Sequence, residues 1–109
     1  MPDFNEIIKE ILKEIESLTE ETFKMHKDEA FKDGRAFLDK IEDDLERLSN
    51  LVIKGELTAE EFEWLVRSKK DLAEMVLLKQ AGLTMIKIDQ FKNRLLDLVV
   101  GHLLTRLGL

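Results

Sequence analysis

The chain has 109 residues, enough for one domain and too few for two independent cores. It is 37% charged and 44% hydrophobic, with one Pro, five Gly and no Tyr, a profile that suits long helices better than sheet. The absence of Cys excludes disulfides, thiolate catalysis and Cys-based metal sites, and a net charge of −6 argues against nucleic acid as the main partner, because that binding depends on neutralising phosphates.

Asp3 followed by Glu6 has the spacing of a capping box at the start of a first helix. Phe4, Ile7, Ile8, Ile11, Leu12, Ile15 and Leu18 then form an apolar stripe of helical period with charges opposite. This opening is amphipathic and acidic, so it does not read as a signal peptide. The pattern weakens from Thr19 to Gly34. Ser17, Thr19 and Thr22 admit a break there, but no Gly or Pro forces one, so the preferred reading is a helix that continues with Phe23, Ala30 and Gly34 near its inner face. Phe37, Leu38, Ile41, Leu45, Leu48, Leu51 and Val52 restore the stripe up to Lys54.

The stretch from Leu51 to Phe62 reads as a tight reversal. Gly55 supplies a left-handed helix stop, and Thr58 with Glu61 supplies a capping box for the next helix. Leu57 and Phe62 have the spacing of a hydrophobic staple. A second helix then carries Phe62, Leu65, Val66, Leu72, Ala73, Val76 and Leu77 on one face, continuing through Leu83, Ile86, Ile88, Phe91, Leu95, Leu98, Val99, His102 and Leu103 to about Leu107. Gly82 interrupts it. The preferred reading makes Gly82 a small residue that lets a neighbouring helix approach; the alternative ends a helix at Ala81 and restarts near Thr84, and LTMIKI beyond it has some strand character.

The expected fold is therefore all-α: a long antiparallel hairpin with helices at about 4–53 and 59–107, each roughly 75 Å long. Charge supports the reversal. Residues 1–54 carry fifteen acids and nine bases, whereas residues 55–109 carry eight of each. The acidic start (Glu6, Glu10, Glu14) would lie beside the basic finish (Lys87, Lys92, Arg94, Arg106). Two such helices bury less than a 44% hydrophobic chain demands, so self-association into a four-helix bundle is expected, with Leu72, Val76, Leu83, Ile86, Phe91, Leu95, Leu98 and Val99 at the oligomer interface. The competing architecture is a kinked monomeric four-helix bundle with corners near Thr19–Thr22 or Gly34 and at Gly82.

No catalytic pattern emerges, and the sequence reads as non-enzymatic with no cofactor or metal. Neither histidine has the Glu-x-x-His spacing of di-metal bundles. His26 with Glu29 and Asp33 reads as a solvated polar face rather than a cation site, and His102 as a packed histidine with one hydrogen bond. Glu42, Asp43, Asp44 and Glu46 read as exposed. Trp64 lies off the apolar face and is a candidate partner contact, unless its ring folds over the turn. The functional expectation is a cytoplasmic interaction, adaptor or scaffold component whose partner is itself or another helical protein. The alternative is a peripheral membrane protein using the basic amphipathic segment 86–109.

Overall fold

The computed structural model describes residues 3–109, and among these every regular element is helical: α1 (Phe4–Thr22), α2 (Lys27–Ile53), α3 (Ala59–Arg67), a 3-10 helix (Ser68–Leu72), α4 (Val76–Gln80) and α5 (Met85–Arg106). The reversal at Gly55 forms as the sequence implies. Gly55 is left-handed at φ 78°, and the Glu56 and Gly55 N–H groups donate to the Leu51 and Val52 carbonyls, which closes the end of α2. Thr58 accepts from the Glu61 N–H at 3.1 Å while the Glu61 carboxylate accepts from the Thr58 N–H at 3.0 Å. Asp3 also caps α1, although its carboxylate takes the N–H of Asn5 and no Glu6 side chain completes the box.

Neither long arm is continuous. The first breaks at Phe23, whose backbone is extended (φ −126°, ψ 100°), so that α1 folds back along α2. Burial decides this. Folding back places Ile7, Ile8, Ile11, Ile15 and Leu18 in the core, each worth about 1.5–3 kcal/mol against exposure, whereas the break forfeits a few backbone bonds worth about 1 kcal/mol each. Phe23 itself is buried, its ring edge-on to Phe91 with centroids 5.0 Å apart.

The second arm breaks between Arg67 and Val76 for a different reason. A helix continued from Phe62 and Val66 would turn Lys69 and Lys70 toward the core. The 3-10 turn instead leaves both half-buried at the surface, and Ala73, Met75 and Leu78 take the buried positions. Met75 adopts a left-handed backbone (φ 55°) to achieve this. Gly82 then ends α4: it is left-handed at φ 87°, and Gly82 and Leu83 donate to the Lys79 and Leu78 carbonyls. The alternative reading at this position is the one observed, and Thr84 caps α5 by accepting from the Lys87 N–H at 3.2 Å.

These breaks shorten the molecule. Its longest extent is 44 Å, close to the roughly 40 Å of α2 alone and far from the roughly 75 Å of unbroken arms. Helix α2 is the spine, contacting α1 on one side and α3, the 3-10 turn and α4 on another; α5 packs against α1 and α3. The acidic start and basic finish do meet: His102 faces Glu10 at 2.8 Å and Glu14 at 3.2 Å, and Arg106 faces Glu10 at 3.3 Å. Gly34, inside α2, marks the closest packing. A Cβ there would stand 3.0 Å from the Ile15 side chain and 3.5 Å from that of Leu95.

Candidate functional site

The eight residues expected at an oligomer interface separate into three environments. Phe91, Leu95 and Val99 are buried in the core of a single chain, Leu83 and Leu98 are half-buried, and Leu72, Val76 and Ile86 are exposed, Ile86 at 72%. The breaks explain the division, because the second arm no longer presents one face throughout. Leu72 and Val76, expected on its inner face, turn outward together and line a groove of about 230 Å3 between α2 and the 3-10 turn. Met85 is exposed beside Ile86 at the start of α5. Trp64, on α3, is 71% exposed, so its ring does not fold under cover of the turn.

Charge ties down the first part of the segment between α3 and α4, while Ala73 and Met75 at its end are buried in the core. No residue of its 3-10 turn is buried. Lys69 pairs with Asp44 on α2 at 3.2 Å, Lys70 with Asp89 on α5 at 2.7 Å, Arg67 with Asp97 on α5 at 2.9 Å, and Glu74 with Lys40 on α2. Hydrogen bonds from Lys69 and Arg47 hold the Asp44 carboxyl below the usual range, and one from Lys70 does the same for Asp89. Glu63 and then Asp97 raise the Arg67 guanidinium. Asp44, expected to be solvated, thus has an assigned partner.

Asp33 corrects the sequence reading most sharply. It does not share a solvated face with His26; it is 6% exposed and its two carboxylate oxygens accept from the Leu77 and Leu78 N–H groups at 3.1 and 2.8 Å. His26 keeps only Glu29, at 3.5 Å. No group of three or more His, Cys, Asp or Glu among the described residues is arranged to hold a metal ion. His102 is half-buried as expected, but both of its ring nitrogens face carboxylates rather than one.

A second groove, of about 240 Å3, opens where the end of α1 meets the first turns of α5, over Phe23 and Phe91 and between Lys87 and Arg94. Comparison with family models finds none that matches, and neither the curated proteins nor the solved structures yield a match. The chemistry of these surfaces therefore rests on their own residues. The sequence reading passed over the second groove, yet its signal was present: Lys87, Gln90, Phe91 and Arg94 recur at helical spacing on one stripe, two cations bracketing an aromatic ring. The C-terminal segment considered as a membrane-facing helix places Ile88, Phe91, Leu95, Leu96, Val99, Val100 and Leu103 in the core, and no helix among the described residues is long and apolar enough to cross a membrane.

Proposed function

We propose that this is a non-enzymatic interaction protein that self-associates through the surface on either side of the Gly82 turn, and that it serves as an adaptor or assembly component. In this reading each subunit is a kinked four-helix bundle with α3, the 3-10 turn and α4 forming one broken arm. The carrying observation is the exposure of Leu72, Val76, Met85 and Ile86, four large apolar side chains within fifteen residues, beside a core that closes within one chain. Contiguous exposed apolar patches mark association surfaces, and here Leu72 and Val76 line one groove while Met85 and Ile86 adjoin at the start of α5.

Charge favours a second copy as the occupant. The groove that Leu72 and Val76 line carries Lys32 and Lys40 with Asp33 and Glu74, two bases and two acids, so two such surfaces meet without net repulsion. The acidic stretch of α2 from Asp39 to Glu46 opposes the same contact. Glu42 shows the crowding there: burial, and then Asp39, Asp43 and Glu46, push its carboxyl above the ordinary range.

Sedimentation equilibrium tests this reading. The unmodified protein is expected to form a reversible dimer, and Val76→Asp with Ile86→Asp to weaken it about tenfold or more while leaving helicity unchanged. Both positions are exposed, which makes them better probes than Phe91, whose replacement would disrupt the core. A monomer at every concentration would remove the proposal.

A further inference from the structure

The groove between α1 and α5 sets two cations beside half-buried Leu83, above a base closed by two buried rings. The Phe23 and Phe91 rings meet edge to face at 88°, both buried, and Leu83 lines one side. Lys87 and Arg94 stand seven residues apart on the same stripe of α5, with Gln90 between them. Among the described residues neither forms an ion pair, although Arg67, Lys69, Lys70 and Arg106 all do. Arg94 donates to the Thr22 hydroxyl at 2.9 Å. That bond positions the guanidinium at the rim and leaves most of its five N–H donors for another acceptor.

The surrounding surface sharpens the contrast. Three other grooves each set carboxylates beside their lysines: Glu14 and Glu21 with Lys13, Glu16 and Asp28 with Lys27, and Asp33 and Glu74 with Lys32 and Lys40. In a chain of net charge −6, the groove over Phe23 and Phe91 is lined by two cations and no acid.

We propose that this groove binds a small organic monoanion, a carboxylate carried on a short aromatic or aliphatic tail. Arg94 and Lys87 hold the carboxylate through charge-assisted hydrogen bonds, and the tail lies against half-buried Leu83 and the small exposed edge of Phe23. Gln90 supplies a neutral donor and acceptor on the same stripe. Volume sets the size of the ligand: about 240 Å3 lies below the roughly 300–1,000 Å3 of sites for drug-sized molecules, which suits one ring or a few carbons. The binding proposal does not rest on the self-association reading, and either can fail without the other.

Titration of the full chain with phenylbutyrate, followed by amide chemical shifts, tests the assignment. Saturable shifts are expected at Phe23 and across Lys87 to Arg94, with the uncharged phenylbutanamide binding about fivefold more weakly or worse. Lys87→Gln and Arg94→Gln should each weaken phenylbutyrate about three- to tenfold without changing sedimentation. Lys87 is exposed and among the described residues its side chain forms no hydrogen bond or ion pair, so its variant remains informative even if Arg94→Gln loses stability with the Thr22 bond. Equal binding of acid and amide, or shifts centred elsewhere, would overturn the proposal. So would binding of anionic phospholipid vesicles at these residues with no response to phenylbutyrate, which would assign the face to a membrane surface.

Discussion

The Asp33 carboxylate reaches from α2 to the backbone N–H of Leu78, 2.8 Å away, and in doing so replaces the N-cap that α4 does not have in its own sequence. Met75 precedes that helix in a left-handed conformation and offers no side-chain acceptor. Asp33→Ala would leave the Leu77 and Leu78 donors unpaired, Leu78 within the core, at a cost of about 2–3 kcal/mol. Chemical denaturation is expected to show that loss, and hydrogen exchange to show it first at Leu77 to Leu83. Asp33→Asn retains one acceptor and should fall between the two. Equal exchange rates in wild type and Asp33→Ala would refute the capping role.

Acid should loosen the segment between α3 and α4. The Asp44 and Asp89 carboxyls are held below the ordinary range by Lys69 with Arg47 and by Lys70 respectively, so folding favours their charged forms. Their contribution is complete above the unfolded-state value of about 3.9 and is lost as pH falls through the lower folded-state values. Asp44→Asn with Asp89→Asn should therefore flatten the dependence of stability on pH below about 4, and 0.5 M salt, about, should reduce the same dependence by screening. Denaturation midpoints measured across that window check both; an unchanged slope in the double variant would count against the pairing.

The elements legible in the sequence are those written in local chemistry. Gly55, Thr58 and Glu61 act through neighbours a few residues away, and they form the predicted reversal. The stripes from Ile7 to Leu18 and from Phe37 to Val52 both reach the core. What was not legible depends on which distant surface a segment meets. Phe23 leaves the helix to meet Phe91, and Asp33 turns inward because an uncapped helix more than forty residues later lies beside it. The break after Arg67 had a visible sign, a polar run from Arg67 to Asp71 that interrupts the apolar stripe, but the reading bridged it. In the candidate groove Lys87, Phe91 and Arg94 were readable as one stripe, whereas Thr22 and Phe23 join them only through the fold.

Ser49 is a polar residue that the core does not satisfy. It is 3% exposed on α2, and its hydroxyl has no hydrogen-bond partner. Ser49→Ala removes the unpaired hydroxyl and improves helix propensity, so it should stabilise the protein by about 0.5–1 kcal/mol. A thermal melt that moves upward supports this; destabilisation would mean that the hydroxyl is paired in solution.

Gly34 and Gly82 are constrained in different ways, and alanine at the two positions separates them. Gly82 was read as permitting close approach, yet a Cβ there meets nothing within 4 Å and its φ of 87° is the constraint. Gly82→Ala should cost about 1 kcal/mol through the left-handed backbone, with faster exchange in α4 and an intact core. Gly34 lies on the inner face, as the preferred reading expects, and not at the corner of the competing one: α2 runs through it, and a Cβ would press on Ile15 at 3.0 Å. Alanine gains about 1 kcal/mol of helix propensity at that position, but crowding where α1 and α5 approach α2 opposes it. Gly34→Ala is therefore expected to alter the amide shifts of Ile15 and Leu95 with little gain in stability, whereas Gly82→Ala should leave those two unmoved. Full recovery of the propensity gain in Gly34→Ala, with Ile15 and Leu95 undisturbed, would show that the helices do not pack as closely as described.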